Sequence, residues 1–386
     1  MTPAARAQAA VEVLDRWLAG MPVEQALTNW GRASRFAGSS DRAAVRDLVF
    51  DAVRCRDSFA ARGGGLTGRG LVLGGLREAG ADVAALFTGD RHAPGPLRPE
   101  EPDPGPSATL PRDVPAAVAP MLRDSLGPRF AGVMERLRHR APLFLRVCLA
   151  RTTLDAVQAR LAAEGISARP VDGVKTALEI TGNERKVASS PVLAEGLVEV
   201  QDAASQAAVA MLPLRDGDRV LDYCAGGGGK TLAMADRARL DLFAHDAAPQ
   251  RMADLPRRAA RAGVQVALLP PEAAGSRAPY DLVLLDVPCS GSGAWRRAPE
   301  TKWTLSPAAV VAMAARQADL LDAAVSLVAP GGHLAYLTCA LLAEENEAQR
   351  AAFLDRTPGW QVVAERRFWP GEPGDGFFAT ILTRSR

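Results

Sequence analysis

The sequence predicts an α/β protein built in three parts. A doubly wound, mostly parallel sheet starts near residue 211. A small α+β part precedes it, and an all-α part occupies the N-terminus. Three observations carry this reading. From residue 215 onward, short apolar runs alternate with helical stretches, the rhythm of a parallel sheet. Residues 4–90 carry only helical spacing, with Ala9, Val11, Val13, Leu14 and Leu18, then Val45, Leu48, Val49 and Val53. Between these regions, residues 91–115 hold eight prolines (Pro94, Pro96, Pro99, Pro102, Pro104, Pro106, Pro111 and Pro115), too many for helix or sheet.

The elements follow in chain order. Residues 1–90 form a helical domain, with Ser39-Ser40-Asp41 as an N-cap region before Arg42. Residues 91–115 are a stiff, exposed linker. Residues 116–210 form a helical segment plus a small mixed subdomain, with strands at 143–147 and 196–200 and a helix at 153–164. Residues 211–386 form the main α/β domain. Its strands are expected at 219–223, 240–245, 264–269, 281–286, 333–338 and 377–382, and its helices at 230–238, 249–262 and 307–328. In such sheets ligands bind beyond the carboxyl ends of the strands. Asp222, Asp246, Asp286 and Cys339 all fall there.

Composition sets limits. Hydrophobic residues make up 48% of the 386 and charged residues 23%, ordinary for a globular chain. Net charge is only +2, so the chain is no polycation, yet residues 121–160 hold eight arginines (Arg123, Arg129, Arg136, Arg138, Arg140, Arg146, Arg151 and Arg160) against three acids. That segment is a candidate phosphate-binding surface or a solvated helix face. Arginine outnumbers lysine 42 to 4, which draws attention to Lys175, Lys186, Lys230 and Lys302. The five cysteines (Cys55, Cys148, Cys224, Cys289 and Cys339) are far apart and form no C-x-x-C pair. The expectation is therefore no metal site, no disulfide framework and a reducing compartment, the cytoplasm. Neither a signal peptide nor a membrane-spanning run is expected.

The segment Val220-Leu221-Asp222-Tyr223-Cys224-Ala225 enters a loop of four glycines, Gly226, Gly227, Gly228 and Gly229, followed by Lys230 and Thr231. A phosphate-binding P-loop would need glycine where Cys224 stands, and the dinucleotide pattern G-x-G-x-x-G fails at Thr231. What remains is a strand, an acid, a tight glycine turn and a helix, with a second acid, Asp246, ending the next strand. A carboxylate there suits ribose hydroxyls, and no phosphate is required. S-adenosylmethionine fits such a site.

Two cysteines end strands, Cys289 after Asp286-Val287-Pro288 and Cys339 after Thr338. The pair suits methylation of an unreactive pyrimidine carbon. A thiolate adds to C6 of cytosine, C5 becomes enamine-like, and loss of the C5 proton with elimination frees the enzyme. A carboxyl group near N3, for which Asp286 is the candidate, assists the addition. Motif position alone leaves open which thiol attacks. Cys55, Cys148 and Cys224 read as buried small hydrophobes.

Several motifs together resemble the Sun/Fmu (Nol–Nop–Sun) RNA cytosine-C5 methyltransferases. They are Gln201-Asp202-Ala203-Ala204-Ser205, the Cys224–Thr231 loop, Asp286-Val287-Pro288-Cys289-Ser290-Gly291-Ser292-Gly293, and Thr338-Cys339 with Glu344-Glu345-Asn346-Glu347. Arg297, Pro299, Lys302-Trp303 and Asp375-Gly376-Phe377-Phe378 add to them. The resemblance covers residues 140–386. It implies a Rossmann-like S-adenosylmethionine-dependent domain, with Cys339 as nucleophile, Cys289 as the thiol that aids product release, Asp286 at N3 and Lys230 beside cofactor and substrate. The implied cofactor set is Asp222, Cys224, Ala225, Gly226 to Gly229, Lys230, Asp246, Arg251, Asp286 and Pro288. Residues 4–90 weakly resemble the NusB-like domain of the bacterial 16S rRNA member, and 143–210 its RNA-recognition subdomain. The implied partner is RNA, with 16S rRNA first and tRNA second; a non-catalytic RNA-binding assembly factor is the third reading. A monomer is expected because each motif is complete in one chain.

Three positions depart from the family pattern. Gly226-Gly227 replaces Ala-Pro in the loop. Leu268-Leu269-Pro270-Pro271-Glu272 stands where an acid near adenine is usual, with Glu272 a weak substitute. Arg146-Val147-Cys148 replaces Arg-Val-Asn.

Overall fold

The structure, a computed structural model, describes residues 1–106 and 112–384. It divides into two compact units, Met1–Arg140 with Trp295–Thr304, and Ala141–Ala294 with Leu305–Arg386.

The first unit is helical. Its helices Pro3–Leu18, Val23–Ala33, Ser39–Arg54, Arg56–Gly63 and Gly68–Glu78 enclose a core that includes Val13, Leu14, Val45, Val49, Leu71 and Leu73. Side-chain caps open two of them, with Thr2 Oγ1 accepting from Ala5 N (3.1 Å) and Thr67 Oγ1 from Gly70 N (3.0 Å). The proline-rich stretch carries no helix or strand among its described residues; Pro111 lies outside them. It is not a free spacer, because arginines of the helices strap it down. Arg69 pairs with Glu101 at 2.7 Å and donates to Gly95 O and Pro96 O, while Arg77 donates to Glu101 O and Leu97 packs on the core. Ten residues from within the α/β run, Trp295–Thr304, also belong to this unit. Lys302 Nζ donates to Arg54 O (3.1 Å), Trp303 Nε1 to Val53 O (2.6 Å), and Glu300 accepts from Val23 N (3.1 Å).

The second unit holds two sheets. The smaller is wholly antiparallel in the order β2-β3-β1-β4, formed by β1 (Leu143–Val147), β2 (Ser167–Val171), β3 (Val174–Gly182) and β4 (Val198–Val200). The larger contains β5 (Arg219–Asp222), β6 (Asp241–Ala244), β7 (Ala267–Leu268), β8 (Tyr280–Asp286), β9 (Val328–Thr338), β10 (Trp360–Trp369) and β11 (Glu372–Arg384), in the order β10-β11-β9-β8-β5-β6-β7. Strands β5 to β9 run parallel, and β11 and β10 close one side antiparallel. The central strands β5, β8 and β9 are apolar on both faces, as a covered parallel sheet requires.

The structure adds to the sequence expectations and revises some. Residues 116–140, the helical segment, fall in the helical unit, and 141–210 in the α/β unit. The β2–β3 hairpin and β10 were not anticipated. Both β2 and β10 are edge strands with mostly exposed, mixed-polarity sequences that lack clean alternation. The expected strand 264–269 shrinks to two paired residues. The basic segment does not form one phosphate surface, since its arginines fall in two units and several are already engaged. Arg138 is buried among Asp113, Glu135 and Glu78, and Arg146 is buried with Gln201 and Asp236. Arg160 pairs with Glu195, and Arg151 donates to the carbonyls of Glu195, Gly196 and Arg261.

No helix among the described residues is long and apolar enough to cross a membrane.

Candidate active site

The glycine loop joins β5 to the helix Gly229–Ala235 at the carboxyl end of the sheet. Gly226 and Gly228 adopt positive φ (48° and 77°), a conformation that side chains resist. At Gly228 space is also absent, since an added Cβ would lie 2.1 Å from Leu255 Cδ1. Asp246, ending β6, is buried and braces the turn by accepting from Gly226 N (3.0 Å) and Ala248 N (2.9 Å), with Arg251 3.2 Å away. Asp222 lies beneath the loop. One of its oxygens accepts from Thr231 Oγ1 (2.6 Å), while buried Oδ1 has no hydrogen-bond partner. Burial pushes the Asp222 carboxyl up to about 7 despite the Thr231 bond, and the Asp286 charge adds to the rise. The Cys224 thiol is pushed up to about 12, chiefly by burial, which makes it a poor nucleophile.

This donor set fits S-adenosylmethionine. Asp246 and the exposed loop backbone suit a ribose, and a buried carboxylate with an unused oxygen suits a cationic ligand. After β7 the acid of the family pattern is absent, and Glu272 is exposed. His245 orders this edge instead. Its ring stacks on Tyr223 (4.4 Å), with Nδ1 2.7 Å from Tyr223 O and Nε2 3.1 Å from Pro271 O.

Lys230, in the first turn after the loop, reaches Asp286 at the end of β8, Nζ to Oδ2 2.5 Å. Burial pulls its pKa down, but the charge of Asp286, with Asp222 and Cys339 beside it, more than offsets that pull and the net shift is upward. The ring of Phe377 lies 5.2 Å from the ammonium.

The two strand-end thiols converge, with Cys289 Sγ 3.4 Å from Cys339 Sγ. Parallel pairing of β8 with β9 brings them together across 50 residues of sequence, with Asp286 opposite Leu337. The loop after Cys289 is anchored by a buried network that sequence reasoning did not assign. Glu345 accepts from Ser290 N (2.7 Å), Ser290 Oγ (2.5 Å) and Gln317 Nε2 (3.2 Å), and Gln317 also donates to Pro288 O (2.9 Å). Glu345 stood inside a quoted motif, but its partners lie 28 and 55 residues away. Gly293 packs directly on Gly376, since a Cβ on Gly293 would fall 2.2 Å from Gly376 O. That contact explains why both positions carry glycine.

The Cys289 pKa is raised well above the ordinary thiol value, first by its hydrogen bond with Cys339, then by burial and the nearby Cys339 and Glu345 charges. Among the described residues no group of three or more His, Cys, Asp and Glu side chains is placed to hold a metal ion.

With this geometry established, known proteins place the chain. Residues 209–383 match the family described as 16S rRNA methyltransferase RsmB/F. The chain is 33% identical over 280 residues to a ribosomal RNA small subunit methyltransferase B from Salmonella arizonae, a match covering 68% of this chain and 64% of that protein. The chain thus spans less than two thirds of that relative's length. Among solved structures, PH0851 has a TM-score of 0.76 at 22% identity over 99% of both chains. NSun6 from Pyrococcus horikoshii, solved with SFG, has a TM-score of 0.61 at 17% identity over 71% of this chain and 99% of its own. At these identities the structural likeness is one of fold. Residues 209–383 thus belong to the RsmB/F family, described as 16S rRNA methyltransferases.

Proposed function

We propose that this protein methylates C5 of a cytosine in 16S rRNA, through a covalent bond between Cys339 Sγ and C6. The observation that carries this reading is the 3.4 Å approach of Cys339 to Cys289 beside the Lys230–Asp286 pair. When bound, S-adenosylmethionine supplies the electrophilic methyl group that the activated C5 accepts. Asp222, Cys224, Ala225, Gly226 to Gly229, Lys230, Asp246, Arg251, Asp286 and Pro288 are the residues assigned to hold it. NSun6, of similar fold, was solved with SFG, an analogue of this cofactor.

The remaining steps belong to the chain's own groups. Cys339 adds to C6. The Lys230–Asp286 pair, 2.5 Å apart, is assigned to N3, where a hydrogen bond relieves the negative charge that addition creates. Cys289, 3.4 Å from Cys339 Sγ, is assigned to the release step, in which a base takes the C5 proton, the C5–C6 double bond re-forms and Cys339 leaves C6 as a thiolate. The helical unit, read as NusB-like over residues 1–90, and the small sheet of β1 to β4 are assigned to RNA binding. The protein is taken to act as a cytoplasmic monomer.

The test is to map 5-methylcytosine in 16S rRNA and tRNA incubated with S-adenosylmethionine and the protein. The expected result is one new site in 16S rRNA with wild type and none with Cys339→Ala. Methylation of tRNA alone would move the substrate; no methylation of either RNA would return the chain to a binding role.

A further inference from the structure

The cofactor loop has four successive glycines and no side chain to keep its shape. Glycine loses more backbone freedom on ordering than any other residue, so a preset loop needs external ties. Backbone and acid ties hold its flanks. Ala225 N donates to His245 O (2.9 Å), Gly228 N to Ala225 O (2.8 Å), and Gly226 N to Asp246. Gly227 sits exposed between them, and its carbonyl accepts from Arg258 Nη1.

Arg258 is itself gripped. Its Nε and Nη2 lie 3.2 and 2.8 Å from Glu199 Oε2, while Arg261 Nη2 takes Glu199 Oε1. Glu199 is buried on β4, so the anchor is a strand of the small sheet. The guanidinium fills the space that a loop side chain would use, since a Cβ on Gly227 would lie 3.0 Å from Arg258 Nη1. A rigid fork can serve one carboxylate and one carbonyl together, which a lysine point charge cannot.

We propose that Arg258, clasped by Glu199, is a positioning residue that fixes Gly227 and presets the glycine loop for its cofactor. The proposal rests on reading this loop as the S-adenosylmethionine site.

Full-length wild type, Arg258→Ala, Arg258→Lys and Glu199→Gln are compared in two experiments. Hydrogen exchange without cofactor follows the amides of residues 224–231, and calorimetry measures S-adenosylmethionine affinity. In Arg258→Ala the loop amides exchange faster, and Kd for S-adenosylmethionine rises about tenfold, the scale of one lost charge-assisted bond. KM for the cofactor rises with kcat and RNA affinity held. Arg258→Lys and Glu199→Gln lie between. Gly227 has no left-handed φ, so Gly227→Ala added to Arg258→Ala restores part of the affinity by stiffening the loop.

Loop exchange and cofactor affinity within about twofold of wild type in folded Arg258→Ala would overturn the proposal. If that variant does not fold, the lysine and glutamine variants decide by the same criteria. Failure of wild type to bind S-adenosylmethionine overturns the methyltransferase reading, while exchange at 224–231 still decides the clasp.

Discussion

Lys302 is fully buried and Lys230 partly so, and their surroundings are opposite. Lys230, in the α/β unit, sits 2.5 Å from the Asp286 carboxylate. Lys302, in the helical unit, is fully buried; it meets the Arg54 carbonyl at 3.1 Å and the Trp303 ring at 4.7 Å. Burial opposes the charge at both. Near Lys230 the carboxylates outweigh it and the pKa rises; at Lys302 burial dominates and the pKa falls to about 8. Both residues stand in motifs of similar quality in the sequence. The contrast teaches that carboxylate neighbours hold the Lys230 charge firmly, whereas burial loosens the proton on Lys302, whose stem is packed in the helical core.

The sharpest way to break this comparison is to remove each ammonium in turn. Lys230→Met is expected to lower kcat/KM by roughly 10²–10⁴-fold, the scale of a lost charge or proton-transfer partner, with little change in melting temperature. Next in size, Lys302→Ala empties a fully buried site, and its expected cost is about 2–5 kcal/mol in denaturant unfolding, with kcat/KM retained while the protein is folded. Lys302→Met keeps the volume and loses less. A stability defect in Lys230→Met, or a catalytic defect in folded Lys302→Met, would erase the distinction.

A smaller effect concerns pH. The Lys302 pKa is about 8 in the fold and about 10.4 in an unfolded chain, so between these values the unfolded state binds the extra proton. Stability therefore rises with pH across that window. Cys55, pushed up to about 12 mainly by burial, works in the opposite sense above its unfolded pKa. Burial of Cys55 is shared by wild type and Lys302→Met, so their comparison removes most of that contribution. Wild type is expected to gain on Lys302→Met by about 2 kcal/mol between pH 8 and 10. A constant difference across this range would mean that Lys302 is not held near pH 8.

The contrast also marks where sequence reading reaches its limit. The central strands were legible because β5, β8 and the last part of β9 hold short apolar runs with acids or thiols just after them. Edge strands such as β10, with Glu365, Arg366 and Arg367, carry no such signal. Of the site, Asp222, Lys230, Asp246, Asp286, Cys289 and Cys339 all fall at the carboxyl end of the sheet, as their positions after strands implied. The groups that hold them in place were not legible. Glu199 meets Arg258 across 59 residues and Glu345 meets Ser290 across 55, and no local periodicity reports such pairs. Likewise, nothing local reveals that Trp295–Thr304, inside an α/β run, folds with the helices, or that Arg138 and Arg146 are spent in buried ion pairs.

The central claim is that the paired thiols divide the work, with Cys339 attacking and Cys289 releasing. The most direct measurement is denaturing electrophoresis of each cysteine variant after incubation with 16S rRNA and S-adenosylmethionine. Cys289→Ala is predicted to accumulate a covalent protein–RNA adduct, and Cys339→Ala to form none. An adduct in Cys339→Ala and none in Cys289→Ala would contradict the account.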